Sequence, residues 1–194
     1  MKMTKIEKKF VNSKKQGEKN LKVIKELFKK YDFSKVKNVL EIGCGAGVVA
    51  AYLSSEKKMK VIASDLDSEQ IQLAKENQKE SSNLKFIEAD ATKLPFEDKK
   101  FDMVLSLNVF HHIPNWEKAI SEIDRVLKKK GFFIFYDLAY ANITKKIFKP
   151  FAKNYGLYTI NDIISSLQEK NSNVKHLDKK KIIMKTYTLV IQKN

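Results

Sequence analysis

Cysteine, arginine and long apolar runs are scarce or missing in this 194-residue chain. Its only cysteine, Cys44, cannot form an internal disulfide, so the chain has no need of an oxidising compartment. No apolar run approaches the roughly 18 to 20 residues that span a bilayer, and residues 1–9 are not followed by the apolar stretch of a signal peptide. These absences predict a cytoplasmic protein without a membrane span.

Length and composition favour one domain. Hydrophobic residues make up 43% of the chain, which is enough for one well-filled core, and 194 residues are too few for two full-sized domains. The sequence shows no internal repeat, low-complexity tract or linker. We therefore expect a single domain over residues 1–194, and no feature indicates an oligomeric state.

The formal net charge of +15 is carried by the two flanks of the chain. Residues 1–37 hold 13 lysines against 4 acidic residues, residues 141–194 hold 11 against 3, and residues 38–140 have 14 basic and 16 acidic residues. Arg125 is the only arginine, whereas proteins that read phosphate groups by geometry favour the planar guanidinium. Lysine-coated solvated faces explain this pattern, and an anionic partner such as RNA stays an alternative.

Apolar periodicity predicts the order of the secondary structure. An amphipathic helix is expected over residues 17–31, with a hint of a shorter one around Met3, Ile6 and Phe10. Strands are predicted at residues 39–42, 61–64, 84–88, 101–107 and 132–136, and intervening helices at 47–55, 68–79 and 115–129. A helix at 159–170 and an antiparallel strand pair at 174–177 and 182–191 close the chain. This βαβ alternation predicts an α/β fold: a Rossmann-like, doubly wound, mostly parallel seven-stranded sheet with helices on both faces.

A glycine-rich turn follows the first predicted strand. Gly43, Gly45 and Gly47 would let a ligand approach the backbone closely at the carboxyl end of the strand, where open α/β sheets bind ligands. A dinucleotide fingerprint needs a glycine at position 48, which is Val48, and the Gly-Lys-Ser/Thr of a P-loop is absent. The turn therefore disfavours a dinucleotide, and further residues must decide between a ligand site and a purely structural turn.

An acidic residue, Asp65, closes the second apolar strand 18 residues after Gly47. A carboxylate at this strand tip can accept two hydrogen bonds from a ribose diol. Asp67 and Gln70 have the spacing of a helix N-cap, which is the alternative role for acids in this stretch. We assign Asp65 to a ligand and Asp67 to capping.

Four segments in order resemble the class I S-adenosylmethionine-dependent methyltransferases, and in particular the methyltransferase-11 type that includes quinone-biosynthesis C-methyltransferases. The resemblance covers about residues 38–138 and fades on both flanks. The usual Lys-Pro-Gly-Gly before the fifth strand is replaced by Lys128 to Gly131, in a turn whose role is expected to be structural. The matching segments are residues 39–47, residues 64–67, residues 88–91 with 94–96, and residues 101–113 with 125–128 before Gly131.

The resemblance implies S-adenosylmethionine as cofactor and assigns its contacts by position. Glu41 would orient the methionine part, Asp65 would bind the ribose, and Leu66 would lie against the adenine. Asp90 and Ala91 would meet the adenine amino edge, and Asn108 would lie near the methionine end. The full implied set is Glu41, Gly43, Cys44, Gly45, Gly47, Asp65, Leu66, Asp90, Ala91, Leu107, Asn108 and His112. Residues 1–37 would be a helical cap, 38–138 the cofactor-binding core, and 139–194 an acceptor-side segment with the last two strands.

Several of these residues could instead have a structural role. Asp90 could be the acceptor of an Asx turn. His111 and His112 could suggest a metal, but adjacent side chains at a strand end point apart and no Cys or carboxylate cluster accompanies them, so we expect no metal site. Cys44 could be a nucleophile, yet without an obvious base it is better explained as a small filler. The aromatic residues after the fifth strand could form a lid or ordinary packing: Tyr140, Phe148, Phe151, Tyr155 and Tyr158.

The activity expected from the resemblance is in-line methyl transfer, in which alignment of two bound reactants contributes on the order of 7 to 11 kcal/mol. A general base is needed only if the acceptor must lose a proton, and His111 is the candidate because imidazole titrates near neutrality. A small-molecule acceptor is favoured. RNA methylation by the basic flanks and non-catalytic cofactor binding are the alternatives.

Overall fold

The computed structural model describes residues 14–141, 155–181 and 185–194. The helix expected around Met3, Ile6 and Phe10 lies outside these residues, and so do Phe148 and Phe151. The chain divides into two compact units, which meet in sequence between Asp90 and Ala91. Among the described residues, no helix is both long and apolar enough to cross a membrane.

The first unit is a parallel βαβαβ segment that follows an amphipathic helix. Strand β1 (Asn38–Ile42) pairs with β2 (Lys60–Asp65) from Asn38 opposite Lys60 to Ile42 opposite Ser64, and β2 pairs with β3 (Leu84–Glu88) up to Asp65 opposite Glu88. The carboxyl ends of the three strands therefore lie along one edge. The elements are α1 (Lys14–Lys30), β1 (Asn38–Ile42), α2 (Val48–Ser55), β2 (Lys60–Asp65), α3 (Ser68–Asn77) and β3 (Leu84–Glu88).

The second unit continues with one parallel strand pair and a final antiparallel strand. Strand β4 (Phe101–Leu107) is parallel to β5 (Leu127–Leu138), whereas β7 (Lys185–Lys193) is antiparallel to both of its neighbours, β5 and β6 (Ser172–Lys181). The elements are β4 (Phe101–Leu107), a 3-10 helix (Phe110–His112), α4 (Trp116–Val126), β5 (Leu127–Leu138), α5 (Ile160–Gln168), β6 (Ser172–Lys181) and β7 (Lys185–Lys193).

The seven strands form one sheet in the order β3-β2-β1-β4-β5-β7-β6. This order confirms the predicted Rossmann-like, doubly wound and mostly parallel sheet. The antiparallel pair expected at the carboxyl terminus is β6 and β7, and β7 lies between β5 and β6. The division of residues 1–194 into a cap, a core and an acceptor-side segment stays a prediction.

The largest difference from the expected elements is at the junction of α4 and β5. The helix expected to run to residue 129 ends at Val126, because Leu127 is already extended (φ −75°, ψ 135°) and pairs with Phe101. The register then shifts before Met103, and Lys130 has a positive φ of 61°. A Cβ on Gly131 would lie 2.8 Å from the carbonyl oxygen of Lys128, so this irregular turn needs glycine at that position.

Arg125, the only arginine, ties α4 to the loop before β4. Its guanidinium donates to the carbonyl oxygens of Phe96 (2.7 Å) and Leu94 (3.0 Å). It also forms two 2.8 Å hydrogen bonds with Glu122, whose carboxylate accepts the Leu94 backbone N–H, again at 2.8 Å. The planar fork of arginine presents five N–H donors spread over three nitrogens, whereas a lysine ammonium has three donors on one nitrogen.

Replacing Arg125 by Lys is therefore expected to lower the free energy of unfolding by about 2 to 3 kcal/mol, because one ammonium nitrogen cannot reach both carbonyl oxygens and the Glu122 carboxylate together. Urea denaturation followed by circular dichroism measures the change. Lys129→Ala, which removes one charge from a neighbouring exposed side chain, should change the value by less than about 0.5 kcal/mol. Equal stability of the Arg125→Lys protein and the wild type would show that the loop is held by other contacts.

Candidate active site

The glycine turn of the first unit joins β1 to α2 in a conformation that suits glycine. Gly43, Gly45 and Gly47 have φ values of 67°, 50° and 75°, in the left-handed region. A Cβ on Gly47 would also lie 2.8 Å from the ring of Phe86, so both backbone and space select glycine there. The backbone N–H of Cys44 donates to the Ser64 carbonyl oxygen at 2.9 Å, which fixes the turn against β2.

Asp65, at the end of β2, binds this turn through its side chain. One carboxylate oxygen accepts the backbone N–H of Gly45 at 3.2 Å, and the other accepts that of Asp67 at 3.1 Å. The residue is only 9% exposed, and burial raises the pKa of the carboxyl, while the two N–H donors counteract part of the rise. The glycine turn and Asp65, predicted separately from the sequence, are thus in direct contact.

Asp67 caps helix α3, as predicted. Its Oδ1 accepts the backbone N–H of Glu69 at 3.1 Å, in the first turn of the helix. The two neighbouring aspartates therefore divide their roles: Asp65 faces the glycine turn and Asp67 the helix end.

Glu41 is a buried acid with one uncompensated oxygen. The side chain lies in β1 and is 3% exposed, and its Oε2 has no hydrogen-bond partner among the described residues. Burial raises the pKa of Glu41 to about 8, against the lowering effect of the Ala50 backbone N–H, and the charge of Asp65 raises it further. An unsatisfied buried carboxyl is costly, so its presence beside the turn points to a ligand group that would satisfy it.

The thiol of Cys44 is placed as a filler rather than as a nucleophile. It is buried, and its Sγ lies 3.8 Å from the carbonyl oxygen of Gly45. Burial raises the pKa of Cys44 well above its ordinary value, and the carboxylates of Glu41 and Asp65 add to the rise. A reactive thiolate needs an electropositive environment, and this environment is the opposite.

The other implied contacts of the first unit lie at the tips of β2 and β3. Leu66 is 42% exposed, as suits a side chain offered to a flat ligand, and Asp90 is exposed as well. The backbone N–H of Ala89 donates to the Asp65 carbonyl oxygen at 2.9 Å, which connects the segment before Asp90 to the tip of β2. The two roles predicted for Asp90, ligand contact and Asx-turn acceptor, both stay predictions.

The remaining implied contacts belong to the second unit. Ala91 and Leu107 are buried, and Asn108 follows β4 with a positive φ of 62°. Asparagine tolerates the left-handed region better than most residues, and the Asn108 backbone N–H donates to the Tyr136 carbonyl oxygen at 2.7 Å. The backbone therefore leaves the extended conformation of β4 at Asn108, and a hydrogen bond to Tyr136 holds it there.

The two histidines differ from expectation. His111 and His112 lie in the 3-10 helix, not on a strand end, and their rings do not point apart but lie 4.0 Å from each other, centroid to centroid. The expectation was wrong because it gave His111 and His112 the side-chain alternation of a strand end, whereas the chain turns into a 3-10 helix after the predicted strand stops at Leu107. Within the described part of the chain, no three His, Cys, Asp or Glu residues group so as to hold a metal ion.

Asp137 was missed by the sequence analysis and is the partner of His111. Its side chain is fully buried, and its Oδ1 lies 2.6 Å from the Nδ1 of His111. It closes the apolar strand segment 132–136 as Asp65 closes β2, so the same signal, an acid at a strand tip, could have found it.

The aromatic residues of the acceptor-side segment separate into two groups. Tyr158 is fully buried and packs edge-on against Phe110, Phe135 and Trp116, with ring centroids 6.4, 6.1 and 5.7 Å away, which is ordinary core packing. Tyr155 is 37% exposed, and its ring lies 6.2 Å from that of His112. The structure describes three of the candidate lid residues, Tyr140, Tyr155 and Tyr158. Of these, Tyr158 is a core residue.

Gly156 lets the segment after residue 154 pack tightly on the 3-10 helix Phe110–His112, which we call the histidine turn. Its backbone N–H donates to the His111 carbonyl oxygen at 3.0 Å. A Cβ there would lie 2.3 Å from the Phe110 carbonyl oxygen and 2.6 Å from that of Ile113, and neither backbone atom can move away alone. Only glycine fits this contact.

We expect Gly156→Ala to lower the free energy of unfolding by about 1 to 3 kcal/mol, as other overpacked sites do. Thermal and urea denaturation would measure it. Ser165→Ala, at an exposed position of α5, is the matched control and should stay within about 0.5 kcal/mol of wild type. An unchanged Gly156→Ala protein would mean that the segment does not press on the histidine turn.

Comparison with known proteins finds similarity to methyltransferases. A family model described as a methyltransferase domain matches residues 40–135. The chain is 36% identical over 102 residues to a fatty-acid O-methyltransferase of Mycolicibacterium smegmatis, a match that covers 52% of this chain and 37% of that protein. It is 34% identical over 140 residues to a sterol 4-C-methyltransferase of Caenorhabditis elegans, covering 69% and 42%. The chain thus spans about two fifths of the length of these curated relatives.

Solved structures agree on the fold. A crystal structure of a SAM-dependent methyltransferase from Methanosarcina mazei superimposes with a TM-score of 0.71 at 19% sequence identity, covering 86% of this chain and 96% of that one. At this identity the likeness concerns the fold alone. These matches do not support the expected resemblance to quinone-biosynthesis C-methyltransferases in particular. The matches show the fold of this chain and its similarity to a methyltransferase domain over residues 40–135, just under half of its length.

Proposed function

We propose that this protein binds S-adenosylmethionine and transfers its methyl group to a small-molecule acceptor. The observation that carries the proposal is the buried Oε2 of Glu41, which has no partner in the described residues and lies at the strand edge that the glycine turn and Asp65 share. A dinucleotide would bring a pyrophosphate to this turn, where a buried carboxyl is unfavourable. The α-ammonium group of S-adenosylmethionine would instead satisfy it.

The residues of the first unit fit the cofactor by their chemistry. Glu41 offers a carboxyl to the ammonium group, and Asp65 keeps acceptor capacity for a ribose diol, because a carboxylate has about four lone-pair sites and two are used by backbone N–H groups. Gly43, Gly45 and Gly47 keep the turn free of side chains. The cofactor supplies an electrophilic methyl group on a sulfonium, and the protein supplies position.

The other contacts in this proposal follow from the family resemblance. Leu66 would cover one face of the adenine, and the exposed Asp90 with Ala91 would meet its amino edge. The residues near the methionine end would be Leu107, Asn108 and His112. Apart from the resemblance, His111 would accept a proton from the acceptor, because imidazole titrates near neutrality.

The acceptor class rests on the relatives. Their names specify a fatty acid and a sterol, which are both apolar small molecules. We infer an acceptor of that size for this chain. The high lysine content of the flanks is then a property of solvated faces, as the shortage of arginine indicates.

Incubation with methyl-labelled S-adenosylmethionine and a cell extract tests the proposal. We expect label in the lipid or small-molecule fraction, and none when the Glu41→Gln variant replaces the wild type. Glu88→Gln replaces an exposed acid at the tip of β3, which pairs with β2, and this control variant should transfer label normally. Label in RNA, or in no fraction, would contradict the proposed acceptor class.

A further inference from the structure

Asp137 holds both the ring and the backbone of His111. Its Oδ1 lies 2.6 Å from the imidazole Nδ1, and its Oδ2 accepts the His111 backbone N–H at 3.4 Å. The same Oδ1 accepts the Leu138 backbone N–H at 2.7 Å, which fixes the carboxylate itself. The Asp137 side chain is fully buried, whereas the His111 side chain is 17% exposed. Solvent therefore reaches the pair only from the His111 side.

This contact selects one tautomer of the imidazole. A carboxylate only accepts hydrogen bonds, so the Nδ1 of neutral His111 must carry the proton, and Nε2 then holds the lone pair. When Nε2 takes up a proton, the imidazolium stays beside the buried negative charge that stabilises it. The arrangement is that of a histidine prepared to receive a proton.

We propose that Asp137 is a positioning residue that presents His111 as a proton acceptor, and that the methyl acceptor of this protein is a neutral group bearing an acidic proton, such as a hydroxyl, rather than a carboxylate. The inference rests on the proposed function. A carboxylate is already ionised near neutral pH and needs no base, so this pair would have no role with a fatty acid. The structure thus discriminates among acceptors that the relatives leave open.

For a hydroxyl acceptor the step balances in atoms and electrons. The oxygen forms a bond to the methyl carbon, the bond from that carbon to sulfur breaks with its electron pair going to sulfur, and the hydroxyl proton moves to the Nε2 of His111. The products are a methyl ether, S-adenosylhomocysteine and an imidazolium, which returns its proton to solvent.

Other titratable groups around the pair do not reverse this assignment. Burial, with a contribution from the charge of Asp137, raises the pKa of Tyr158 and of Tyr140, so both phenols stay neutral near pH 7. The ring of His112 is 4.0 Å from that of His111, and Tyr155 lies beyond His112. A positive His112 would oppose protonation of His111, which leaves Asp137 as the group that favours it.

Nitrogen-15 NMR of the imidazoles tests the positioning role without any substrate. The chain has three histidines, so the His111→Gln spectrum identifies the signals of His111. We expect the wild-type protein to show His111 with its proton on Nδ1, and Asp137→Asn to lower the pKa of His111 by at least one unit while that of His176 is unchanged. A wild-type proton on Nε2, which requires no variant to fold, would overturn the positioning role, and so would a titration that is unchanged in Asp137→Asn.

Chemical stability of the labelled product tests the acceptor class. Label in a methyl ester is released by mild alkali as volatile methanol, whereas a methyl ether or C-methyl group survives. We expect alkali-stable label and a kcat that falls at least about 100-fold in His111→Gln, as the loss of a general base does. Asp137→Asn should lower kcat and move the acidic limb of the kcat profile to lower pH by at least one unit, without changing the KM for S-adenosylmethionine. His176→Gln, in β6, is the control with normal turnover.

The outcomes separate this inference from the proposed function. Alkali-labile label, or normal turnover by His111→Gln, would overturn the acceptor assignment while leaving the methyltransferase activity in place. Cofactor binding without transfer to any fraction would overturn the proposed activity and the acceptor assignment together. The NMR result decides the role of Asp137 in either case.

Discussion

Asp65→Asn is expected to weaken binding of S-adenosylmethionine at least about 100-fold. Asparagine has one acceptor oxygen where aspartate has two, and both oxygens of Asp65 already accept backbone N–H groups, from Gly45 and Asp67. In the variant an amide NH2 would face one of these donors, and the ribose diol would lose its charged acceptor. Losing one or two charged hydrogen bonds at about 1.5 to 3 kcal/mol each gives that factor. Titration calorimetry measures the affinity.

Asp67→Asn is the matched control for this variant. It lies two residues away and is at least as deeply buried, but its role is to cap α3 through Oδ1, which an asparagine oxygen can replace. Its affinity for the cofactor should stay within about threefold of wild type, a free-energy difference below roughly 0.7 kcal/mol. If the two variants lost affinity equally, the effect would come from a general loosening of the β2–α3 connection, and Asp65 would have no separate part in binding.

Glu41→Gln is expected to change how the stability of the ligand-free protein depends on pH. In the folded protein the pKa of Glu41 is raised from 4.5 to about 8, mainly by burial. Below pH 4.5 the carboxyl is neutral in both states. Between pH 4.5 and 8 the unfolded chain loses this proton while the folded protein keeps it, so the contribution of Glu41 to stability falls by at most about 1.4 kcal/mol per pH unit and is lost above pH 8.

Glutamine has no such proton, so the stability of Glu41→Gln relative to wild type should rise between pH 5 and pH 8 by about 2 to 4 kcal/mol. Urea denaturation at several pH values measures this difference, and groups common to both proteins largely cancel. Glu88→Gln, which replaces an exposed carboxyl by the same amide, is the control for this series. A flat difference between Glu41→Gln and wild type would mean that the Glu41 carboxyl is solvated or paired in solution.

The same variant should gain stability and lose function, which distinguishes a binding residue from a structural one. Glutamine satisfies no ammonium charge, so affinity for S-adenosylmethionine should fall although the fold becomes more stable near pH 8. Stability sacrificed at a ligand site is a common feature of enzymes. A variant that is both destabilised and unable to bind would instead indicate that Glu41 supports the turn.

The strands of the first unit were predictable because their signals are local. Each is a short apolar run that ends at a polar or glycine residue, and β1, β2 and β3 differ from expectation by one residue at most at either end. The start of β5 was not predictable, because Lys128 to Gly131 have neither the alternation nor the apolar content of a strand. Pairing of Leu127 with Phe101 and the register shift that follows decide that segment, and both depend on tertiary contacts.

The site shows the same division. Glu41, the glycine turn and Asp65 belong to motifs that can be read along the chain, and the contact between Gly45 and Asp65 follows from the parallel pairing of β1 with β2. His111 and Asp137 are 26 positions apart in the sequence, and their contact depends on a 3-10 turn. No hydrophobic periodicity in the sequence predicts that turn. The predicted orientation of the two histidine rings was wrong for the same reason.

Calorimetric titration of the folded wild-type protein with S-adenosylmethionine, and separately with S-adenosylhomocysteine, tests most directly whether the tips of β1 and β2 hold an adenosyl cofactor. We predict saturable heat for both ligands, one site per chain, and dissociation constants of about 1 to 100 μM, within the range usual for enzyme ligands. Absence of heat with either ligand, on protein that unfolds cooperatively, would contradict the account.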